Sequence, residues 1–169
     1  MTAVAIAPVD VSDPAVLALV DALTAELATG GYTDDETFGY TPEQLAASAV
    51  HLLGARLGSD EEEGQLVGIA GVELDDEGAG ELKRFYVAPA HRGSGVADAL
   101  LAALVAHAHE RGATVLRLET GDAQAAALRF YARHGFTPIP RFGPYVDSAT
   151  SVCLERRLLG PIRPGVDRG

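Results

Sequence analysis

The chain has 169 residues, 47% of them hydrophobic, which suits a single folded domain with its own core. Its 13 basic and 24 acidic residues give a net charge of −11, which argues against a general nucleic-acid-binding protein. Cys153 is the only cysteine, so an internal disulfide is excluded. The sequence has neither a signal-peptide pattern nor an apolar run of about 20 residues, and we expect a cytoplasmic protein that does not enter membranes.

The first half of the chain predicts one strand, two helices and then a three-stranded meander. Asp13-Pro14 supplies an N-cap and a proline at the first helical position, and apolar residues recur at helical spacing until Gly30-Gly31. A shorter helix begins at Thr41-Pro42. Residues 50–57 could continue that helix, but their hairpin-like relation to residues 65–74 favours a strand. The predicted strands are residues 3–7, 50–57, 65–74 and 81–87.

The second half predicts a long helix at 95–111, a strand at 114–118 and a further helix at 122–134. Two closing strands follow, near residues 136–139 and 151–158. The predicted order is therefore β-α-α-βββ-α-β-α-ββ, an α+β domain over residues 1–159. The Pro/Gly-rich residues 160–169 predict a flexible tail.

Charge is unevenly distributed between the two halves. Residues 1–80 hold one basic and 16 acidic residues, whereas residues 81–169 hold 12 basic and eight acidic ones. Solvated acidic turns explain much of this asymmetry. The positive second half nevertheless leaves room for a small polyanion.

The most informative segment runs from Val87 to Ala97, where a strand, a glycine turn and a helix start follow one another. Such a turn lets backbone N–H groups approach an anion, most simply a pyrophosphate, and Arg92 adds a positive charge at its mouth. The dinucleotide fingerprint, and with it an oxidoreductase, is excluded because its third glycine would fall on Asp98. The Gly-Lys-Ser/Thr ending of a P-loop is also absent.

Two motifs resemble those of the GNAT superfamily (GCN5-related N-acetyltransferases). Residues 92–97, RGSGVA, fit its Arg/Gln-x-x-Gly-x-Gly/Ala pattern, and residues 82–101 resemble its acyl-CoA motif as a whole. Residues 127–136, ALRFYARHGF, resemble the later motif in which a tyrosine precedes Gly-Phe by four residues. The predicted order of elements also agrees with this family, whose fold is a mixed, mostly antiparallel sheet of about seven strands flanked by about four helices.

This resemblance implies acetyl-CoA as the acyl donor and assigns residues to it. The backbone of Val87 and of Tyr86 would pair with the pantetheine arm as an added strand. The pyrophosphate would lie on the turn, beside Arg92. The residues of this turn are Gly93, Ser94, Gly95, Val96 and Ala97.

Transfer to an amine needs a base for the amine and an acid for the departing thiolate. By its motif position Tyr131 is the candidate acid, although it could instead be a core residue. Glu81 is the candidate base, with a solvent-facing strand residue as the alternative. Neither task requires a metal, and the sequence has no metal-ligand motif. Cys153 lies in an apolar strand pattern, so we interpret it as a buried residue rather than a nucleophile.

The acceptor pocket is expected to use the end of the first helix, the loop after it and the FGPY turn. Aromatic and acidic side chains together suit a cationic or amphipathic amine. The candidates are Glu26, Tyr32, Asp34, Asp35, Phe38, Tyr40, Phe142 and Tyr145.

The sequence thus predicts an N-acetyltransferase that moves an acetyl group from acetyl-CoA to a primary amine of a small molecule, amino acid or peptide. The amine would attack directly in a ternary complex. A non-catalytic acyl-CoA sensor with the same fold is the alternative. We expect no nucleic-acid or membrane partner, and the resemblance adds a homodimer as a further expectation.

Overall fold

A mixed seven-stranded sheet forms the centre of the computed structural model, which describes residues 3–58 and 64–158. The strands are β1 (Ala3–Pro8), β2 (His51–Gly58), β3 (Gln65–Leu74), β4 (Ala79–Val87), β5 (Val115–Gly121), β6 (Thr137–Ile139) and β7 (Ser151–Arg157). They are hydrogen-bonded in the order β1-β2-β3-β4-β5-β7-β6. The β4–β5 pair is parallel and the other neighbours are antiparallel.

Four α-helices flank this sheet in the described residues: α1 (Pro14–Thr29), α2 (Pro42–Ala47), α3 (Val96–Glu110) and α4 (Ala125–Arg133). The predicted α+β fold and its order of elements are confirmed. The predicted caps also form, because the side chain of Asp13 accepts a hydrogen bond from the backbone of Ala15 and that of Thr41 accepts one from Gln44. None of the described helices is long and apolar enough to cross a membrane.

The strand favoured for residues 50–57 is confirmed as β2, because the chain turns to extended backbone at Ser48 and β2 then pairs with β1 and β3. Helix α4 begins three residues later than predicted, since Asp122 N–H donates to the carbonyl of Thr150 and extends the end of β5. The predicted acidic turn at 60–64 lies almost wholly, and the predicted tail at 160–169 wholly, outside the described residues.

Each face of the sheet carries its own hydrophobic core. Helix α3 supplies Leu100 and Leu104, which pack with Leu116 and Leu118 of β5 on one face. On the other face, helices α1 and α2 pack against β2, β3 and β4. The buried residues of this second core are Val16, Val20, Leu45, Leu52, Leu66, Ile69 and Tyr86. Burying each large aliphatic side chain contributes about 1.5–3 kcal/mol. Strands β3 and β4 contribute to both cores and so lie between the helix layers.

Candidate active site

A cavity of about 460 Å³ opens between β4 and β5. The two strands pair over Ala79–Glu81 and Val115–Arg117, close to their N-terminal ends. Beyond that short ladder the cavity lies between residues 82–87 of β4 and residues 118–121 of β5. Backbone groups of parallel neighbours that no longer pair are open to an extended ligand. The split between the two strands therefore creates the site.

The glycine turn predicted to bind pyrophosphate forms one end of this cavity. Gly93 has a φ of +73° and Gly95 a φ of +89°, a left-handed backbone that favours glycine. No described atom lies within 4 Å of where a Cβ would be at either position, so both face open space. Gly95 is the N-cap of the 15-residue helix α3, whose first N–H groups are free to bind an anion. This geometry fits a diphosphate.

The other predicted turn residues fall into two groups. Gly93, Gly95 and Ala97 line the cavity. Val96 is 1% exposed and packs in the core, so that only its backbone could serve a ligand. The hydroxyl of Ser94 donates a hydrogen bond to the carbonyl of His91. The turn is therefore a backbone binding surface, with its side chains directed elsewhere.

Arg92 reaches across the cavity mouth to helix α1. Its guanidinium forms two hydrogen bonds with the carboxylate of Glu26, both of 2.8 Å. It also donates to the carbonyl of Val87 at 2.9 Å and lies over the ring of Tyr86. The carboxylate of Glu26 raises the pKa of Arg92. Glu26, predicted for the acceptor pocket, thus lies against the cofactor turn.

Tyr131 of α4 lines the cavity and is 8% exposed. Its ring packs edge-on against Phe85 of β4 and Phe136, and also contacts Phe130. Burial raises the pKa of the phenol, which keeps it protonated at neutral pH. A protonated hydroxyl beside the split is able to donate to a developing thiolate. The ring packs in the core and also borders the cavity, and the role of Tyr131 as the acid stays a prediction.

Glu81 lies in the β4–β5 ladder, opposite Arg117. It is not among the described residues that line the cavity. One carboxylate oxygen accepts a 2.5 Å hydrogen bond from the hydroxyl of Tyr145, and the other pairs with the ammonium of Lys83 at 3.0 Å. Burial, together with the hydrogen bond that it donates to Glu81, raises the pKa of Tyr145. Both oxygens of Glu81 are therefore engaged in the structure.

Glu119 is a carboxylate in the cavity wall that sequence reasoning missed. It lies on β5, two residues beyond the ladder, where its partly buried side chain borders the cavity. Burial raises its pKa, the negative charge of Glu81 adds to the increase, and a 2.7 Å hydrogen bond from the hydroxyl of Ser151 opposes it. A half-buried carboxylate with a raised pKa is suited to accept a proton at neutral pH. The one sequence signal for Glu119 was its place directly after the apolar residue Leu118, because neighbouring residues of a strand point to opposite faces.

Aromatic side chains form the end of the cavity opposite the glycine turn. Phe38 packs edge-on against Tyr145, with ring centroids 5.1 Å apart. The ring of Tyr40 lies under the ammonium of Lys83, and its hydroxyl donates to Glu73 at 2.8 Å. These contacts join the loop after α1 to β3 and β4.

The structure places the remaining acceptor candidates in different surroundings. The hydroxyl of Tyr32 accepts from the N–H of Ala123 at 2.8 Å, which ties the loop to the start of α4. Asp34 and Asp35 form a short 3₁₀ turn and are not cavity residues within the described chain. Phe142 packs edge-on against Tyr145 and is not among the described residues that line the cavity. Cys153 is buried, as expected.

No group of three or more His, Cys, Asp or Glu side chains in residues 3–58 and 64–158 is placed to hold a metal ion.

Comparison with known proteins agrees with this geometry. Residues 21–136 match the acetyltransferase (GNAT) family. An IAA acetyltransferase of Azospirillum brasilense is 34% identical over 117 residues, which cover 69% of this chain and 73% of that protein. A structure from Klebsiella pneumoniae, assigned as an acyl-CoA N-acyltransferase, is 35% identical with a TM-score of 0.75 and covers 92% of this chain and 98% of its own.

A fourth comparison bears on the fold alone. The PaiA N-acetyltransferase of Thermoplasma acidophilum, solved in complex with coenzyme A, is 17% identical, with a TM-score of 0.73 over 92% of this chain and 99% of that one. The family match spans well over half of the chain and includes both motifs that border the cavity. The chain accordingly belongs to the GNAT family of acetyltransferases and is an acyltransferase.

Proposed function

We propose that this protein transfers an acetyl group from acetyl-CoA to a primary amine of a small molecule, amino acid or peptide. The observation that carries the proposal is one continuous cavity with three parts. A glycine turn for a diphosphate forms one end, aromatic side chains form the other, and Tyr131 and Glu119 border the space between β4 and β5. A donor and an acceptor could bind there together, as direct transfer requires.

The donor end fits acetyl-CoA through its backbone. Gly93, Gly95 and Ala97 would hold the diphosphate at the start of α3, and Arg92 would add a positive charge. The backbone of Tyr86 and Val87 borders the split where the pantetheine arm would lie. Acetyl-CoA supplies the activated thioester. Side chains of this chain provide the remaining chemistry.

Two proton transfers complete the proposed reaction. The neutral amine forms the new C–N bond as the C–S bond of the thioester breaks. Glu119 accepts the proton that the amine loses, directly or through one water molecule. Tyr131 donates its proton to the departing thiolate, and the two groups then exchange the proton through solvent. We favour Glu119 over Glu81 as the base because Glu119 borders the cavity, whereas the Glu81 carboxylate is bound by Tyr145 and Lys83.

The direct test is thiol release from acetyl-CoA with a panel of amines, amino acids and short peptides, followed by intact-mass measurement of each product. A mass increase of one acetyl group on the amine, with one thiol released per product, is the expected result. Thermal stabilisation by acetyl-CoA without turnover on any member of the panel would instead support the non-catalytic sensor. A cytoplasmic location and a homodimer stay predictions and are open to fractionation and to light scattering.

A further inference from the structure

A bulge in β4 places two consecutive cationic side chains on the same face of the sheet. Gly71 pairs with Lys83 and Ile69 with Tyr86, so β4 has one residue more than β3 between these pairs. Arg84 lies in the bulge with a φ of +53°, an uncommon conformation for a residue with a side chain. Alternation would send Lys83 and Arg84 to opposite faces. The bulge instead turns both toward the loop after α1.

The guanidinium of Arg84 is buried beneath that loop. The residue is 8% exposed; its Nε donates to the carbonyl of Tyr40 at 2.7 Å and its Nη2 to the hydroxyl of Thr24 at 3.1 Å. Nη1 has no hydrogen-bond partner in residues 3–58 and 64–158, and no carboxylate there forms an ion pair with Arg84. A buried cation without a carboxylate partner is expensive to fold. Stability alone is therefore a poor explanation for Arg84.

Gly39 provides a second, independent observation at the same place. A Cβ on Gly39 would come within 2.5 Å of Cζ and Nη1 of Arg84. Gly39 is not among the glycines with a positive φ, so its backbone does not itself require glycine. A side chain at Gly39 would therefore force the loop and the guanidinium apart, and the guanidinium is held in place by its hydrogen bonds to Tyr40 and Thr24.

The residues that Arg84 holds belong to the aromatic end of the cavity. Tyr40 has its carbonyl bound by Arg84, its ring under Lys83 and its hydroxyl on Glu73. Phe38, one residue before Gly39, packs against Tyr145. Displacement of the loop backbone would therefore move two walls of the acceptor end at once.

We propose that Arg84 is a positioning residue for the acceptor: its buried guanidinium fixes Gly39 and Tyr40 against β4, and this sets the shape of the pocket that receives the amine. The inference rests on the proposed function, which assigns the aromatic end to the acceptor. The glycine turn follows the end of β4, whereas the guanidinium of Arg84 contacts Thr24 of α1 and the carbonyl of Tyr40, so we expect a change of the Arg84 side chain to alter acetyl-CoA binding little.

Three variants test this role. Arg84→Met removes the charge and both donors while keeping much of the volume. Gly39→Ala retains the arginine and forces the loop and the guanidinium apart. Thr24→Val is the matched control, because it removes the other hydrogen bond of the same guanidinium, on the side of α1, and leaves the loop contact in place.

We expect Arg84→Met and Gly39→Ala each to raise the acceptor KM about 10-fold or more, with kcat changed less than about threefold. The Kd for acetyl-CoA should stay within about twofold by calorimetry. Hydrogen exchange of the amides at residues 37–41 should accelerate about 10-fold or more in both variants, with β3 unchanged. Thr24→Val should lower the melting temperature yet leave the acceptor KM and the exchange of residues 37–41 unaltered.

Unchanged KM and unchanged exchange in both Arg84→Met and Gly39→Ala would overturn the proposal. So would a rise in KM in all three variants in proportion to their loss of stability, since that pattern reflects general destabilisation. If Arg84→Met does not fold, Gly39→Ala decides, because it retains the arginine. If the wild-type protein acetylates no amine, the proposed function fails, and the exchange of residues 37–41 still decides whether Arg84 holds the loop.

Discussion

Replacing Glu119 with Gln tests the proposed base without changing the other parts of the site. Gln has nearly the same shape and its amide oxygen still accepts the hydrogen bond from Ser151, so the cavity wall should keep its structure. Only the ability to accept a proton is lost. We expect kcat/KM for amines to fall while the Kd for acetyl-CoA stays unchanged.

The size of the loss follows from the surroundings of Glu119. A positioned general base contributes about 10²–10⁴-fold to the rate, and each tenfold step corresponds to about 1.4 kcal/mol. Glu119 is only partly buried and borders a cavity open to solvent, so water can replace it in part. We therefore expect the lower end, a loss of about 10²-fold, or about 2.7 kcal/mol of transition-state stabilisation.

Stability and pH provide a second signature of Glu119. Burial raises its pKa, so its charged form is disfavoured in the folded protein, and at neutral pH the neutral Gln should leave the melting temperature unchanged or higher. A base must be deprotonated, so kcat/KM of the wild type should rise with pH through the pKa of Glu119, above the ordinary value of about 4.3. In Glu119→Gln this limb should disappear, leaving the ionisation of the amine.

Glu81→Gln is the matched control on the neighbouring strand. Steady-state kinetics by thiol release, at several pH values and with two amines of different pKa, compares the two variants. If Glu81→Gln loses about 10²-fold while Glu119→Gln keeps wild-type kcat/KM and pH profile, the assignment of the base to Glu119 is refuted.

Three further predictions concern the donor turn, the acid and a histidine pair. Glu26→Gln removes the ion pair with Arg92 and a negative charge beside the proposed diphosphate site. The Glu26 and Arg92 side chains are 39% and 45% exposed, so we expect little loss of stability. Calorimetry at low salt should give a Kd for coenzyme A that is about 3–10-fold lower, whereas weaker binding would mean that Glu26 holds Arg92 in place for the ligand. Tyr131→Phe should lower kcat about 10²-fold with an unchanged Kd for acetyl-CoA, and full turnover would exclude the acid role. The stacked rings of His51 and His107 have centroids 3.7 Å apart, and burial, with nearby positive charge, lowers the pKa of both below the ordinary value of about 6.5. Since the unfolded chain then binds protons first, the melting temperature should fall as pH drops through about 6.5, and His107→Gln should reduce that slope in differential scanning fluorimetry.

The geometry of the proposed donor half of the site was predictable from the sequence because its requirements are local. Adjacent residues determine this geometry: Gly93 and Gly95 adopt a left-handed backbone, and helix α3 begins directly after them. The segment from Tyr131 to Phe136 is also contiguous, and its tyrosine lines the cavity as its motif position implied. Backbone geometry that depends on near neighbours leaves a recognisable pattern.

The acceptor half was only partly predictable, since its contacts join residues far apart in the chain. Glu119 borders the cavity because β4 and β5 separate after a short ladder, and no local sequence pattern indicates where two strands separate. The bulge that turns Arg84 toward Tyr40 breaks the alternation of side chains that a strand pattern implies. A one-residue insertion reverses which side chains meet the site.

Glu26 illustrates why the net charge of a sequence segment does not predict the charge around one part of the folded cavity. It belongs to the acidic first half, which favours a cationic acceptor only if its carboxylates face that end of the cavity. Helix α1 instead crosses the sheet so that Glu26 meets Arg92 of the basic second half, at the donor end. Each carboxylate must therefore be assigned to a ligand by its position in the cavity. By that criterion Glu119, from the basic half of the sequence, borders the cavity between β4 and β5 and is the carboxylate that we propose accepts the proton of the amine.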